Sequence, residues 1–254
     1  VYLMKTFMKN LANWFGGFGI NLFTFRRSLK SFPSLYQEYR KFKKEKPYDE
    51  FPIHFNYPCP ADRYEAAGVA SGHYFHQDLL VARKIFERNP MRHVDIGSRI
   101  DGFVAHVAAF REIEVLDFRP LEKKVRNISF YEFDLLNPGG KHLAYTESLS
   151  CLHTLEHLGL GRYGDPIMAS GYVKGFETLI SILKPGGIMY LSVPIGSQRI
   201  EFNAHRVFSI KTILSMVGSK LDLMEFSYVD DAGDLHENVS LTLDAIETAF
   251  NCWY

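Results

Sequence analysis

Cysteine is scarce in this sequence, and neither sign of charge is in excess. The three cysteines are odd in number and scattered along 254 residues, so they fit neither a disulfide framework nor a zinc pattern. This usage is typical of a reducing compartment and predicts a cytoplasmic protein. Because 29 basic residues balance 29 acidic ones, no net field indicates nucleic acid as a partner.

Long hydrophobic runs are also missing. None reaches the roughly 18 to 20 apolar residues that a membrane-spanning helix needs. Apolar residues still make up 46% of the chain, which is enough for a packed core. The length allows one large domain with an extension. We therefore expect an extension and connector over residues 1–60 and a folded domain over residues 61–254.

The first 50 residues differ from the rest in composition. Residues 3–25 are rich in Phe, Trp, Leu and Gly, and residues 26–46 carry eight basic side chains against two acidic ones. One interpretation is an amphipathic segment on an anionic membrane surface, peripheral to the inner face of the membrane. The other is a helical cap that packs its aromatics on the domain and leaves its basic face in solvent. Both predict a helical N-terminal extension.

Beyond the extension, short apolar runs alternate with helical patterns. Strands are predicted at 93–96, 113–118, 129–133, 149–152 and 188–193, with two further apolar runs at 221–228 and 239–243. Helices are predicted at 64–87, 103–110, 171–183 and 210–217. Alternation of this kind predicts an α/β domain of Rossmann-like type, with a mostly parallel seven-stranded sheet and helices on both faces.

The loop after the first predicted strand has the layout of a nucleotide-binding turn. Asp95 lies in the strand, and Gly97 allows the backbone to turn sharply and approach a ligand. A pyrophosphate-binding loop needs a second glycine two positions later, where this chain has Arg99. The loop therefore favours a nucleoside cofactor without phosphates.

Two further acids follow the next two predicted strands. Asp117 lies 22 residues after Asp95, where a carboxylate can accept both ribose hydroxyls of a nucleoside. Asp134 follows the third strand, where a carboxylate can accept an adenine amino proton. The polar and aromatic segment 71–78 precedes the first strand, and we expect it to form a wall of the same site.

Five segments resemble successive motifs of the class I S-adenosylmethionine-dependent methyltransferases. They are Asp-Ile-Gly at 95–97, Leu-Asp at 116–117, Phe-Asp at 133–134, Leu-His-Thr-Leu-Glu-His at 152–157 and Leu-Lys-Pro-Gly-Gly at 183–187. The likeness covers roughly residues 70–243. More closely, residues 94–103 and 157–166 resemble the bacterial family known as domain of unknown function 268, whose members are often associated with surface-glycan biosynthesis.

The resemblance implies S-adenosylmethionine as cofactor and assigns residues to its parts. Asp95, Gly97 and the loop residues Ser98 and Arg99 would serve the methionine end. Asp117 would bind the ribose and Asp134 the adenine. His153 would lie beside the sulfonium, and the aromatic face of Tyr74 would favour that cation. The superfamily loop usually continues Gly-x-Gly after its first glycine, whereas this chain has Arg99 and Asp101 in those places.

Transfer to a sugar hydroxyl or another small acceptor needs a base near neutral pH, for which histidine is suited. His157 and His205 are the candidates, because they follow strands four and five on the acceptor side of this fold. Each can equally be structural. Arg162 and Arg206 are candidates for gripping an anionic acceptor, with surface salt bridges as the alternative.

Two other functions compete with methyl transfer. Residues 153–157 match H-x-x-E-H, the inverted zinc-peptidase signature, which needs both histidines on one helix. The segment instead follows an apolar strand and precedes three glycines, which disfavours a zinc hydrolase. The altered loop favours a second alternative, a degenerate fold that binds a nucleoside or a partner protein without turnover. We predict an O-methyltransferase of surface-glycan biosynthesis.

Overall fold

The computed structural model describes residues 11, 15–19, 21–45, 51–140 and 142–241, and the chain divides into two compact units, 1–69 and 70–254. In the first unit, helix α1 (Leu22–Glu45) buries Ser31, whose hydroxyl donates to the Pro60 carbonyl at 2.6 Å. The ring of Phe55 packs against Tyr39, with centroids 4.6 Å apart. None of the helices in the described part of the chain is both long and apolar enough to cross a membrane.

The second unit is built on a five-stranded parallel sheet in the order β3-β2-β1-β4-β5. The strands are β1 (Val94–Ile96), β2 (Ile113–Asp117), β3 (Ile128–Glu132), β4 (Thr146–Leu152) and β5 (Leu183–Ser192). The helices are α2 (His73–Arg88), α3 (Ala105–Ala108, after a π-helical turn Ile100–Val104), α4 (Gly171–Ile182) and α5 (Ile210–Val217). The α/β class is confirmed, and the strand order reverses between β1 and β4, where such sheets bind ligands.

Apolar side chains cover both faces of this sheet. On one face, Ile85 of α2 and Phe103 pack against Val115. On the other, Phe176 and Leu179 of α4 pack against the central strands. The central strand β1 is buried at every position, and its one polar side chain, Asp95, is held there by hydrogen bonds from Ser98 and Ser150.

Two short antiparallel ribbons follow the sheet. Strands β6 (Arg199–Glu201) and β7 (His205–Val207) form one hairpin, and β8 (Tyr228–Val229) pairs with β9 (Leu235–His236). The predicted strand at 221–228 is wrong over most of its length, because only its last residue enters a strand and Leu223 and Met224 face solvent. The run at 239–243 extends past residue 241, beyond the described residues, and its described part contains no strand. Seven strands are therefore not confirmed.

The helix predicted at 64–87 is also shorter than expected. It begins at His73, because Gly72 precedes it with a φ of +90°, and Glu65 is extended. Leu80 and Ile85 enter the core. Tyr74 is partly exposed, and this leaves its ring available to the cleft described below.

Candidate functional site

An open cleft lies at the carboxyl ends of the central strands. Its walls come from α2, from the turns after β1, β2, β3 and β4, and from the segment 157–166. It contains eight residues predicted for the site: Tyr74, Gly97, Ser98, Arg99, Asp117, Asp134, His153 and His157. Four other predicted residues do not line it: Asp95, Arg162, His205 and Arg206.

Asp95 lies beneath the loop after β1. Its carboxylate is fully buried and accepts hydrogen bonds from Ser98 N at 3.0 Å, Ser98 Oγ at 2.8 Å and Ser150 Oγ at 2.5 Å. Burial raises the pKa of Asp95 to about 6, although these hydrogen bonds oppose the shift. Asp95 therefore joins the loop to β4, and it does not itself line the cleft.

Gly97 forms the turn between Asp95 and the rest of the loop. Its φ is +72°, and a Cβ at this position would lie 2.6 Å from Thr154 Cγ2. Thr154 is itself fixed, because its hydroxyl donates to the Ile96 carbonyl at 3.1 Å. Both the backbone conformation and the close approach of Thr154 therefore require glycine here.

Asp117 is 8% exposed and lies at the end of β2 within the cleft. Arg119 engages both of its carboxylate oxygens, with Nε 3.0 Å from Oδ1 and Nη2 2.5 Å from Oδ2. The same Nη2 donates to the Gly97 carbonyl at 3.3 Å, and the guanidinium lies 4.7 Å from the centroid of the Tyr163 ring. Arg119 thus occupies the acceptor positions that a ribose diol would use.

Arg99 and Asp101, which stand at the two positions where the loop that this one resembles has further glycines, form an ion pair with each other. Two hydrogen bonds join them, at 3.0 and 2.7 Å, and both side chains are mostly exposed. A pair this exposed contributes little to stability. Arg99 therefore lies at the mouth of the cleft, and separating it from Asp101 would cost little free energy.

Asp134 follows β3 and holds the next turn. Its carboxylate accepts from Leu136 N at 2.8 Å and from Asn137 Nδ2 at 2.8 Å. The side chain is exposed and lines the cleft, as does the apolar ring of Phe133 beside it. An apolar wall next to a carboxylate can take a flat heterocycle that carries an amino group.

Histidines and a buried acid meet at the end of β4. His153 has a left-handed backbone with a φ of +51°, and its Nδ1 lies 2.9 Å from Glu156 Oε1. His157 Nδ1 lies 2.7 Å from the Ala204 carbonyl, while its Nε2 is 3.6 Å from the same Glu156 oxygen. The ring centroids of His73 and His153 lie 4.7 Å apart with the ring planes tilted by 53°, and burial lowers the pKa of His73 to about 4.

This arrangement differs from the one that a zinc peptidase needs. His153 lies outside any helix, and Leu155–His157 is a single 3₁₀ turn, so the two histidines are not presented one turn apart on a helical face. Within the described residues, no group of three His, Cys, Asp or Glu side chains has the geometry of a metal site.

Arg162 and Arg206 both attach the β6–β7 hairpin region to the segment after β4. Arg162 Nη1 donates to the Ala204 carbonyl at 2.7 Å. Arg206 is buried in β7 and donates to the carbonyls of three residues: Glu156, Leu158 and Ala169. The expectation that Arg206 faces an acceptor is not supported, because its guanidinium is directed to backbone carbonyls. His205 is half-buried in the same strand and outside the cleft.

A family model described as a Caenorhabditis protein of unknown function, DUF268, matches residues 114–247, more than half of the chain. The chain belongs to this family. The expected domain family is thus confirmed, but its description names Caenorhabditis, so the expectation of a bacterial family was wrong. No curated protein matches the chain.

Solved structures match at low identity. A putative sarcosine dimethylglycine methyltransferase from Galdieria sulphuraria is 15% identical, with 59% of this chain and 62% of that one covered and a TM-score of 0.44. The 1,6-didemethyltoxoflavin-N1-methyltransferase of Burkholderia thailandensis is 14% identical, with 56% and 66% covered and a TM-score of 0.43. The [4+2]-cyclase SpnF is 13% identical, with 57% and 55% covered and a TM-score of 0.43. The chain spans about three fifths of the length of the structures it matches.

Sequence reasoning missed three members of the site. Arg119 follows Asp117 by two residues, a spacing that allows a local ion pair but does not require one. Glu156 lies in the segment 152–157, but neither interpretation of that segment predicts a role for it in methyl transfer. Asp78 of α2 lines the cleft near the loop, where burial raises its pKa. The one available signal for Asp78 was its place in the polar segment 71–78, which does contribute Tyr74, Gln77 and Asp78 to the wall.

Proposed function

We propose that this protein is an S-adenosylmethionine-dependent methyltransferase that methylates an oxygen of a sugar or another small acceptor. The observation that carries the proposal is the position of Asp117. A nearly buried carboxylate ends β2 in the same cleft as the Gly97 turn, where the strand order of a parallel sheet reverses. Ligands of open α/β sheets bind at this point.

The cleft offers groups of suitable chemistry for each part of this cofactor. Gly97 and Ser98 would hold the methionine end, Asp117 the ribose, and Asp134 with Phe133 the adenine. The ring of Tyr74 lines the same cleft and would favour a sulfonium cation. When bound, the cofactor supplies an activated methyl group with its own leaving group. The protein then has to bind, align and exclude water.

The acceptor would enter beside the segment 157–166. The backbone of this segment is held by the carboxylate of Asp165. Asp165 accepts from Gly159 N at 2.8 Å and from Gly161 N at 3.3 Å. Arg162 is exposed on this segment and would meet an anionic group of the acceptor. A glycan-linked acceptor of surface-glycan biosynthesis remains our proposal for the biological substrate, and it rests on the family resemblance of the sequence.

The test is a calorimetric titration with S-adenosylmethionine and with its demethylated product, with NAD as the control ligand. We expect saturable binding of the first two only. The Asp117→Asn variant should bind about ten- to a hundredfold more weakly, because it loses charge-assisted hydrogen bonds to two hydroxyls. Glu132→Gln is the matched control, since Glu132 is exposed at the end of β3 and outside the cleft. Equal affinity of both variants would refute the ribose assignment.

A second function, nucleoside binding without turnover, is favoured by one observation. Arg119 already engages both carboxylate oxygens of Asp117, and Arg99 stands where the superfamily has a glycine. Binding of the demethylated product without methyl transfer to any acceptor would favour this function. Absence of binding by either nucleoside would refute both.

A further inference from the structure

We propose that the base of this reaction is His153, and that Glu156 is its positioning residue. The inference rests on the proposed methyl transfer, and it replaces His157 and His205 in that role. His205 does not line the cleft. The choice therefore lies between His153 and His157, which both line it and which both approach the same carboxylate.

The contacts of His157 direct both of its nitrogens into the protein. A carbonyl oxygen only accepts hydrogen bonds, so the 2.7 Å contact with Ala204 O places the proton on His157 Nδ1. The remaining lone pair is on Nε2, which lies 3.6 Å from Glu156 Oε1. Burial also lowers the pKa of His157. A lone pair that faces a carboxylate is poorly placed to take a proton from an acceptor.

The contacts of His153 have the opposite consequence. Its Nδ1 donates to Glu156 Oε1 at 2.9 Å, which leaves the lone pair on Nε2. Among the described residues, Nε2 has no hydrogen-bond partner, and the side chain lines the cleft beside Tyr74, with ring centroids 5.2 Å apart. The left-handed backbone of His153 is uncommon for a residue other than glycine, and such conformations cluster at functional sites.

The surroundings of Glu156 indicate that it acts through His153 rather than on the acceptor directly. It is 1% exposed, and its Oε2 has no hydrogen-bond partner in the described residues. A buried carboxylate with one unsatisfied oxygen destabilises the fold. Its negative charge would instead stabilise the imidazolium that forms when His153 takes a proton, as an acid does beside the histidine of a hydrolase triad.

The step balances without any further reactant. The acceptor oxygen bonds to the methyl carbon while the carbon–sulfur bond gives its electron pair to sulfur, which becomes a neutral thioether. The hydroxyl proton passes to His153 Nε2, and the imidazolium later releases it to water. Glu156 remains a carboxylate throughout.

The first measurement needs no acceptor. In protein labelled with ¹⁵N-histidine, we expect His153 to carry its proton on Nδ1 and a lone pair on Nε2. The Glu156→Gln change removes the charge and offers an N–H to Nδ1, so the proton should move to Nε2. His236→Gln serves to assign spectra and as a control, because His236 pairs with Asp230 at 2.8 Å outside the cleft. A proton on Nε2 in the unchanged protein would overturn the proposal.

The second measurement is transfer of labelled methyl from S-adenosylmethionine to methyl glycosides. His153→Gln should lower kcat about 10²- to 10⁴-fold, a larger change than in cofactor affinity, while His236→Gln should match the parent protein. A large loss in His157→Gln with none in His153→Gln would overturn the dyad while leaving the proposed function intact. If the unchanged protein methylates no glycoside, the sugar acceptor is refuted, and the tautomer measurement decides the dyad.

A different observation supports an independent proposal for helix α1. Phe25, Leu29, Phe32 and Tyr36 follow one another at helical spacing and form a stripe, the α1 stripe, whose members are 60%, 61%, 44% and 47% exposed. The basic residues Arg26, Lys30, Arg40 and Lys44 lie along one flank of it. The opposite flank contains the covered residues Ser28, Ser31 and Leu35.

From this charge pattern we infer that the α1 stripe binds the surface of an anionic bilayer. Aromatic and aliphatic side chains would enter the headgroup boundary, and the adjacent cations would meet lipid phosphates. Such binding weakens as salt rises, because the attraction of exposed cations is screened.

The test is sedimentation of the full chain with vesicles of phosphatidylcholine, alone or mixed with phosphatidylserine. We expect binding to the mixed vesicles only. Changing Phe25→Ser and Leu29→Ser together should weaken it at least about tenfold, because two apolar side chains no longer leave water. Phe42→Ser is the matched control, since Phe42 is exposed on another face of α1. Absence of binding, or equal loss in the control, would overturn the inference.

Discussion

Replacing Gly97 by alanine should test whether the loop after β1 is built as the structure shows. Two costs add in this variant. Alanine in a left-handed conformation, here a φ of +72°, is destabilising by about 1 kcal/mol. The new methyl group would also lie 2.6 Å from Thr154 Cγ2 and 2.9 Å from Thr154 Oγ1, and overlap of this kind costs about 1 to 3 kcal/mol. The free energy of unfolding should therefore fall by about 2 to 4 kcal/mol.

Gly140 provides a matched control for the first cost. Its φ is also +72°, but nothing lies within 4 Å of the position that a Cβ would take. The Gly140→Ala variant should therefore lose only about 1 kcal/mol. Urea unfolding of both variants, followed by circular dichroism, would measure the difference. Equal losses would refute the claim that Thr154 restricts this turn.

Thr154→Ala should relieve the second cost. With the hydroxyl and the methyl group removed, the nearest remaining atom to the new methyl is Thr154 Cβ, at 3.3 Å. In this background the Gly97→Ala change should cost about 1 to 2 kcal/mol less than in the parent protein. Purely additive losses would contradict the contact. Cofactor affinity measured on the same proteins would then show whether the turn matters to binding beyond its effect on stability.

Two further predictions concern charges at the site. Arg119→Ala should tighten nucleoside binding up to about tenfold in calorimetry, because a ribose would no longer displace a half-exposed guanidinium from Asp117; weaker binding would show that Arg119 contacts the ligand. The second prediction concerns Asp95, whose pKa in the folded protein is about 6, above its usual 3.8. The folded state therefore binds this proton more tightly than the unfolded state does. As a result, the free energy of unfolding falls as the pH rises from 4 to 6. Relative to the parent, Asp95→Asn should gain stability over that range, by about 3 kcal/mol at most, in unfolding titrations at each pH; a difference that does not change with pH would refute the raised pKa.

The sequence was sufficient for the central sheet because buried parallel strands have a local signature. β1 and β2 are short, mostly apolar segments between turn residues, and they are buried at every position except Glu114. The runs at 221–228 and 239–243 have similar composition. Such a run forms a strand only if the edge of a sheet is available for pairing and one face of the run becomes buried. Neither condition can be predicted from the residues of the run itself.

The position of a candidate site residue was predictable where it follows from the end of a strand, but its contacts were not. Gly97, Asp117 and Asp134 lie at strand ends, which can be located from the pattern. The tasks of Arg206 depend on carbonyls that are 37 to 50 residues away in the chain. No local sequence pattern predicts such contacts. The sequence alone therefore indicates that Arg206 binds an acceptor.

The departure of the loop from the superfamily pattern has a physical explanation in its hydrogen bonds. A second glycine allows the backbone to follow a ligand closely, but here Ser98 returns its N–H and its hydroxyl to Asp95, which ties the loop down instead. The side chain of Arg99 is then directed to the mouth of the cleft. Because this loop is held by a buried carboxylate that Ser150 anchors to β4, it can stay ordered without a bound phosphate or a glycine at position 99. The altered residues are thus compatible with an intact ligand site.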